Sequence, residues 1–229
     1  MTGDEAPSLA SVRPEAEAST APRTVSEASE RYLILADISG YTAFLAGIQE
    51  THGLDFSVGV PAGYEIIAEL LDVVVRGLTP TFAIAKIEGD AVFAIAPVAP
   101  LDATGDQLVS RLREINTAFR EAQRAQASFA SDHICTACPV ASGLWLKMLL
   151  HRGVGVQVTG RSHAEIHGPA VTAVHRLLKN QVVSRVGPRP YLLVTDVAAE
   201  HLGLSDVGLE HHEDYPDSGP VAGRIIALE

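Results

Sequence analysis

Apolar residues recur every three or four positions in four segments of the chain, a spacing that predicts helices with one buried face. Shorter apolar runs, rich in β-branched residues, predict strands between them. The predicted helices are residues 40–53, 62–78, 101–131 and 168–182. The predicted strands are residues 31–38, 81–89, 90–98, 190–196, 206–215 and 223–229, together with the second half of 143–160, whose first half fits either structure.

The order of these elements predicts the fold class. The strands at 81–89 and 90–98 are joined at Glu88-Gly89-Asp90, and Gly next to Asp favours a hairpin. A hairpin flanked by helices, with further strands returning to the sheet, predicts an α+β fold with a ferredoxin-like antiparallel sheet and helices packed on it. A doubly wound parallel sheet would not normally place a hairpin at its centre.

Composition divides the chain into two parts. Residues 1–30 are rich in Ala, Ser, Pro and Glu and hold few large apolar side chains, so burial would not offset the entropy of ordering them. We therefore predict a disordered tail over residues 1–30 and a single folded domain over residues 31–229. The chain has 229 residues and is 47% hydrophobic, which is enough for a substantial core.

Net charge and cysteine content narrow the classes of function. The formal net charge of -11 repels phosphate backbones and anionic lipid, which argues against nucleic-acid and membrane partners. Two cysteines are too few for a disulfide framework and favour a reducing compartment. No apolar run reaches the roughly 18 residues that span a bilayer, and no secretory signal is visible. We therefore expect a cytoplasmic protein.

Two carboxylates stand at the ends of predicted strands. Asp37 ends the first strand and Asp90 lies in the hairpin turn, so both reach the same end of the sheet if those strands are neighbours. Adjacent carboxylates repel each other unless one is protonated or a cation lies between them. Their oxygen atoms suit Mg²⁺ or Mn²⁺, which bind few protein ligands together with substrate phosphates. Read singly, Asp37 also fits a helix N-cap and Asp90 a turn residue.

The residues after Asp37 predict an anion site. Ser39, Gly40, Tyr41 and Thr42 open the next predicted helix, where free backbone N–H groups attract anions. An acid pair beside a helix N-terminus suits a triphosphate that carries a metal ion. The segment is not a Walker loop, because no Gly-Lys-Ser/Thr follows a strand in this sequence.

The cysteines and histidines offer a different chemistry. Cys135 and Cys138, which are separated by two residues and lie close to His133, form part of a zinc ligand set, although a structural zinc site uses four ligands. A redox pair or two incidental thiols explain the same spacing. Away from this cluster, His211 and His212 are predicted to be a solvated surface pair.

Two of these segments resemble a known family. The sequence ADISGYTAF, residues 36–44, resembles the metal-site motif of class III adenylate and guanylate cyclases. KIEGDAVFAI, residues 86–95, resembles the hairpin that carries their second metal ligand, and HRGVGV resembles their His-Gly-x-x-x-Gly strand. The resemblance covers most of residues 31–180. The C-x-x-C pair and the HRLLKN segment resemble a less-studied bacterial branch of cyclase-like domains that has no assigned function.

The resemblance implies roles for individual residues. Asp37 and Asp90 correspond to the two metal-bridging aspartates, and Ile38 would offer its backbone carbonyl to a metal. Lys86 stands at the position of the lysine that selects adenine. Glu165 stands at the position of a second purine-contacting acid, which is usually Asp in that family.

Two further positions decide what activity the resemblance implies. Arg176 matches the arginine that steadies the transition-state phosphate, whereas Thr172 falls where an asparagine normally positions the ribose. The family converts ATP to cyclic AMP, with two Mg²⁺ or Mn²⁺ ions per site, at the interface of a head-to-tail homodimer. Because Thr172 departs from the pattern, a second interpretation stays open, a degenerate cyclase-fold domain that binds a nucleotide or acts as a regulatory module.

Overall fold

The structure, a computed structural model, describes residues 24–52, 57, 59–60, 62–99, 101, 103–129, 141–159, 164–216 and 219–229. Its strands are β1 (Thr24–Val25), β2 (Ser29–Ser39), β3 (Ala83–Glu88), β4 (Ala91–Pro97), β5 (Trp145–Thr159), β6 (Ala164–His167), β7 (Tyr191–Thr195), β8 (Leu209–Tyr215) and β9 (Gly219–Ala227). Its helices are α1 (Tyr41–His52), α2 (Ala62–Leu78), α3 (Gly105–Phe129), α4 (Pro169–Arg176), α5 (Val182–Val186) and α6 (Asp196–Leu202), with a 3₁₀ turn at Leu177–Lys179.

The strands form one sheet, in the order β3-β4-β2-β5-β7-β9-β8, with β1 and β6 paired to the end of β5. Neighbouring strands are antiparallel except β5 and β7, which are parallel. The predicted α+β fold is therefore confirmed, as is the hairpin of β3 and β4. Gly89 opens its turn at a φ of +62°, in the left-handed region that favours glycine.

Helices cover both faces of the sheet and bury a core on each. The larger core lies under α1, α2, α3 and α6, and the smaller one lies under α4 and α5. Successive residues of β2 alternate between the faces, with Ile34 and Ala36 in the larger core and Leu33 and Leu35 in the smaller. By the same alternation, Asp37 lies on the face of the smaller core.

The helix predicted over residues 168–182 is wrong in its C-terminal half. Helix α4 ends at Arg176, and the chain then forms a 3₁₀ turn and an extended residue, Asn180, before α5 begins. The Asn180 amide donates to the carbonyl oxygen of Leu177, while its Oδ1 accepts from Val182 N–H and from the Tyr191 hydroxyl. In a continuous helix these backbone groups would bond to other backbone groups. Here the Asn180 side chain takes their place, so the helix is interrupted by one turn.

Helix boundaries also shift where the side chains cap them. Helix α3 begins at Gly105 rather than at Leu101, because Thr104 and Gln107 form a capping box. The backbone N–H of each residue donates to the side-chain oxygen of the other, at 2.9 and 3.4 Å. The helices predicted at 40–53 and 62–78 are confirmed as α1 and α2.

Further differences concern one strand, one helix and the start of the described chain. The strand-like signal in residues 143–160 extends over the whole of β5, and α6 follows β7 where no helix is predicted. Residues 24–30, which the composition assigns to the tail, include β1, which pairs with β5, and the first residues of β2. Residues 1–23 of the predicted tail lie outside the described residues. In the part of the chain that is described, no helix has the length and apolarity to span a membrane.

The predicted surface pair of histidines is half wrong. His212 is exposed, but His211 is only 3% exposed and its Nε2 lies 2.6 Å from Glu213 Oε1, which is also buried. The same Glu213 oxygen accepts from the backbone N–H of Gln181, at 2.5 Å. Glu213 therefore ties β8 to the segment between α4 and α5, and His211 bonds to the same carboxylate.

Candidate functional site

The Asp37 carboxylate lies near the end of β2, on the sheet face covered by α4. In the strand ladders, Asp37 pairs with Ala91 of β4 and with Lys147 of β5. The Lys147 ammonium lies 3.0 Å from Asp37 Oδ2, and the two side chains are 15% and 16% exposed, respectively. An ion pair this well covered is screened less by water and salt than a surface pair. Lys147 therefore offsets much of the charge of Asp37.

The second carboxylate, Asp90, lies beside the first. The backbone N–H of Ile38 donates a 3.0 Å hydrogen bond to the carbonyl oxygen of Asp90, which ties the hairpin turn to the end of β2. Burial and then the negative charge of Asp37 raise the pKa of Asp90, and Lys147 opposes this only in part. The structure thus brings the two predicted acids together as a mutually repelling pair.

Asp90→Asn is expected to stabilise the protein at neutral pH in the presence of a chelator. The raised pKa means that the fold favours the protonated carboxyl group. The stability that the protonated Asp90 carboxyl group contributes is therefore fully present at acidic pH. It is lost as the pH rises through the raised pKa of Asp90. The amide cannot ionise, so the variant lacks this decline. Thermal unfolding of both proteins between about pH 4 and about pH 8 measures the difference, and identical profiles would contradict the repulsion.

The acid pair has the chemistry of a divalent-cation site. Carboxylate oxygens are the ligands that Mg²⁺ and Mn²⁺ prefer, and a cation between Asp37 and Asp90 would relieve their repulsion. Among the described residues, no cluster of three or more His, Cys, Asp or Glu side chains could hold a metal ion. Further ligands would therefore come from the Ile38 carbonyl, from water and from substrate phosphates. These residues fit a cation that binds together with an anionic substrate.

The start of α1 lies against the acid pair. The Ser39 hydroxyl is 3.5 Å from Oδ2 of Asp37. Gly40 turns the chain into the helix at a φ of +92°, and a side chain there would crowd the backbone of a neighbouring loop. Tyr41 begins the helix, followed by the exposed Thr42. Burial first, and in smaller part Tyr64 and the charge of Asp90, raises the pKa of Tyr41.

Lys86 and Glu165 line one cavity of about 180 Å³ beside α4. Its lining comprises Ala85, Lys86, Glu88, Phe93, Glu165, Ile166, His167, Val171 and His175. Lys86 Nζ lies 2.5 Å from Glu88, and that contact, with a smaller effect of Glu165, raises the pKa of Lys86. Glu88 also lies 3.4 Å from His175 Nε2. The cavity therefore presents a cationic donor and carboxylate acceptors at its edge.

Arg176 and Thr172 line a second cavity, of about 430 Å³, on another side of α4. Its lining comprises Pro169, Thr172, Ala173, Arg176, Tyr215 and Val221. The histidine that precedes Arg176 has a packing role. His175 Nδ1 bonds to the Val171 carbonyl oxygen at 2.9 Å, and its ring packs edge-on against Phe93. Helix α4 contributes to both cavities: its Thr172 and Arg176 line one, whereas Lys86 of β3 and Glu165 of β6 line the other.

Lys147 is the site residue that the sequence analysis does not identify. It lies in the apolar run WLKMLL, where an isolated charge is the only signal in the sequence. Its pairing with Asp37 depends on the register of β5 against β2. Lys147 Nζ also donates to the carbonyl oxygen of Leu178, at 3.3 Å, in the turn that follows Arg176. It therefore connects the acid pair to the end of α4.

The third predicted site cannot be placed. Cys135, Cys138 and His133 lie outside the described residues, so the zinc or redox site stays a prediction.

Residues 67–185, just over half of the chain, match the family described as "Protein of unknown function (DUF2652)". The chain belongs to this family. The matched segment holds Lys86, Asp90, Lys147 and Arg176, whereas Asp37 precedes it. Because the family description names no activity, the chemistry of the site is argued from the residues themselves.

A relative of the chain is the uncharacterized protein Rv2561/Rv2562 of Mycobacterium tuberculosis (strain ATCC 25618 / H37Rv), which is 32% identical over 140 residues. The alignment covers 61% of this chain and 61% of the relative, so the chain spans less than two thirds of the curated relative that it matches. This relative adds no assigned activity.

Solved structures that resemble the chain are cyclases and a cyclase-like protein. A bacterial light-regulated adenylyl cyclase has a TM-score of 0.59 at 14% identity, with 90% of this chain and 53% of that chain covered. The adenylyl cyclase CyaB from P. aeruginosa has a TM-score of 0.57 at 14% identity, with 89% and 96% covered. A class III adenylyl cyclase-like ATP-binding protein from Pseudomonas aeruginosa has a TM-score of 0.50 at 15% identity, with 76% and 35% covered. At such low identity these likenesses show the fold, which is cyclase-like.

Proposed function

We propose that this protein is a nucleotide cyclase that converts ATP to cyclic AMP. The observation that carries the proposal is the pair of adjacent carboxylates, Asp37 and Asp90, on a cyclase-like fold. In the proposed reaction, the 3′-hydroxyl of ATP gives its proton to water and its oxygen bonds to the α-phosphorus. The bond from that phosphorus to the oxygen that bridges to the β-phosphorus breaks, and pyrophosphate leaves.

The two acids are proposed to hold Mg²⁺ or Mn²⁺, two ions per site, together with the triphosphate. Bound divalent cations lower the pKa of the attacking hydroxyl and stabilise charge on the attacking and leaving oxygens. Lys147 limits the repulsion between Asp37 and Asp90 before substrate arrives, since its ammonium group lies 3.0 Å from Asp37. Ile38 contributes its backbone carbonyl, and the N–H groups at the start of α1 face the anion.

The nucleotide is proposed to contact both sides of α4. Lys86 and Glu165 would recognise the purine, because a donor beside an acceptor matches the adjacent acceptor and donor on the Watson–Crick edge of adenine. Arg176 would offset charge on the α-phosphate, and Thr172 would lie beside the ribose. These roles are electrostatic and positional, and they act on groups that change charge during the reaction.

A head-to-tail homodimer is proposed to assemble the site. The cavities that hold Lys86 and Arg176 do not include Asp37 or Asp90 among their lining residues. This separation supports an arrangement in which one subunit supplies the acids and the other supplies the purine-binding groups. Two-fold symmetry then generates two equivalent sites.

The test is an assay of cyclic AMP formation from ATP with Mn²⁺ and with Mg²⁺. Mass spectrometry of the products is expected to show cyclic AMP and pyrophosphate for the wild type and neither above background for Asp90→Asn. Circular dichroism and sedimentation analysis confirm that both proteins are folded and establish their oligomeric state. A folded, dimeric wild type that forms no cyclic AMP under any of these conditions would overturn the enzyme assignment.

A second function, nucleotide binding without turnover, is favoured by one residue. Thr172 stands where the cyclases position the ribose with asparagine, and a cyclase-like solved structure is named as an ATP-binding protein. Under this alternative, ATP with Mn²⁺ raises the melting temperature and no product forms. If ATP and Mn²⁺ produce no thermal shift, the binding function fails as well.

A further inference from the structure

The edge strand β3 carries an acid, Glu88, that the cyclase resemblance does not assign. The pairing of β3 with β4 shifts by one residue between Ile84 and Lys86. After this β-bulge, Lys86 lies opposite Phe93, and Glu88 lies opposite Ala91. Both partners belong to the core under α4, and residues directly opposite each other share a face of the sheet. The bulge therefore puts both charged side chains of β3 on the face that α4 covers, where a regular register would put Lys86 on the other face.

The Glu88 carboxylate contacts one side chain from its own strand and one from α4. Its Oε1 lies 2.5 Å from Lys86 Nζ, and its Oε2 lies 3.4 Å from His175 Nε2. Each neighbour thus has a different oxygen of the same carboxylate. All three side chains line the cavity of about 180 Å³ beside α4. Glu88 therefore bridges the edge strand to the helix at the wall of this cavity.

The helix end of the bridge, His175, is held in place by two further contacts. Its Nδ1 lies 2.9 Å from the carbonyl oxygen of Val171, and its ring packs edge-on against Phe93 with the ring centroids 5.0 Å apart. A carbonyl oxygen can only accept a hydrogen bond, so Nδ1 carries the hydrogen of this contact. The other ring nitrogen, Nε2, faces Glu88 and donates to it when the ring is protonated. His175 is thus a fixed point to which Glu88 connects the strand.

The strand end of the bridge, Lys86, gains most from it. The lysine side chain is 59% exposed, and an unrestrained lysine populates many rotamers, whose loss on binding a ligand opposes affinity. The contact with Glu88 limits this freedom before a ligand arrives. An ammonium group has three N–H donors, so a hydrogen bond to Glu88 leaves two for other acceptors. The bridge therefore prepares the lysine for binding and leaves it able to donate.

We propose that Glu88 is a positioning residue for purine recognition, which holds Lys86 at the cavity by bridging it to His175. The inference rests on the proposed function, because Lys86 is assigned there to the purine. Glu88 acts through the lysine and does not itself touch the substrate. Glu165, the other proposed purine contact, lines the same cavity from β6.

The test compares Glu88→Ala, which removes the bridge, with Glu88→Gln, which keeps it. The amide oxygen can accept from Lys86, and the amide N–H can donate to Nε2 of a neutral His175 ring. Lys86→Met, alone and combined with Glu88→Ala, shows whether the acid acts through the lysine. The control is Glu210→Ala, because Glu210 forms an ion pair with Arg224 at 3.2 Å on β8, the opposite edge of the sheet. Calorimetric titration with ATP and Mn²⁺ gives the affinity, and thermal unfolding without nucleotide gives the stability.

Glu88→Ala is expected to weaken ATP binding about fivefold, the effect of one exposed ion pair, and to melt at the wild-type temperature. Glu88→Gln is expected to stay within about twofold of the wild-type affinity, because the bridge persists. Glu210→Ala is expected to bind ATP as the wild type does. In the Lys86→Met background, Glu88→Ala is expected to cause no further loss of affinity.

Three results would each show that this inference is wrong while the proposed function stands. The first is wild-type ATP affinity of Glu88→Ala, and the second is an equal loss in Glu88→Gln or in the Glu210→Ala control. The third is a full loss from Glu88→Ala when Lys86 is already replaced. If the wild type itself does not bind ATP, the inference and the proposed function are both wrong.

Discussion

Asp37→Asn is expected to reduce cyclic AMP formation about a thousandfold. The substitution replaces a charged oxygen ligand by a neutral amide and leaves Asp90 as the only carboxylate of the pair. The fold is expected to remain intact, because the amide oxygen can still accept from Lys147, and because the repulsion between the two acids disappears. The measurement is the rate of cyclic AMP formation, with the melting temperature recorded on the same sample.

The matched control is Asp72→Asn. Asp72 forms an exposed ion pair with Arg76, four residues later on α2, so its loss removes one carboxylate of equal size far from the proposed chemistry. This variant is expected to keep wild-type activity, since exposed pairs of this kind contribute little to stability. Equal activity of Asp37→Asn and the wild type would remove the acid pair from the mechanism.

Mixing Asp37→Asn with Arg176→Ala tests the assignment of groups to subunits. Each variant alone is expected to be inactive. In a mixed dimer, one of the two sites receives a wild-type acid pair from one subunit and a wild-type arginine from the other. Random exchange at equal concentrations therefore restores about a quarter of wild-type activity. Absence of recovery, with mixed dimers demonstrated by mass spectrometry, would contradict the shared site.

Lys147→Met is expected to strengthen the binding of Mn²⁺ alone about tenfold and to lower the melting temperature of the metal-free protein. The lysine places a positive charge 3.0 Å from Asp37 in a largely covered position, so it both stabilises the acid pair and competes with a cation for it. Methionine keeps much of the length of the side chain and loses the ammonium group, with its charge and its hydrogen bond to Leu178. Without Lys147 the two carboxylates repel each other more strongly, and a divalent cation gains more by binding.

Lys179→Met is the control for this experiment. Lys179 lies in the 3₁₀ turn after α4, and its side chain is exposed, so the substitution changes the net charge equally without touching the acid pair. Calorimetric titration with Mn²⁺ is expected to show wild-type affinity for this control. If Lys147→Met also binds Mn²⁺ with wild-type affinity, the cation does not bind at Asp37 and Asp90.

Local patterns in the sequence predict those parts of the fold whose causes are local. Helix α2 follows from its broad apolar face, and the β3–β4 hairpin follows from the Gly89-Asp90 pair. The HRLLKN segment has the periodicity of a helix and is nevertheless interrupted. There the hydrogen bonds of the Asn180 side chain with the backbone and with Tyr191 outweigh the helix propensity of the segment. Tyr191 belongs to a strand whose position beside this segment cannot be read from the local pattern.

The same distinction applies to single side chains. A histidine next to another histidine in a polar segment reads as exposed, yet His211 is buried because Glu213 lies on the same face of β8 and accepts its hydrogen bond. Tyr215 reads as one more strand residue until the structure places it in the lining of the same cavity as Arg176. Neither position carries a spacing motif that would have identified its partner.

The sequence by itself determined the fold class, because strand and turn patterns are local. It also singled out Asp37 and Asp90 as candidate site residues, because an acid near the end of an apolar strand is visible without coordinates. Tertiary structure alone decided that Lys147 faces Asp37, that α4 divides the predicted nucleotide residues between two cavities, and that Tyr215 joins one of them. Those facts depend on strand register and on how one helix packs across the sheet. Register is set by the burial of whole strands, which no short stretch of sequence contains.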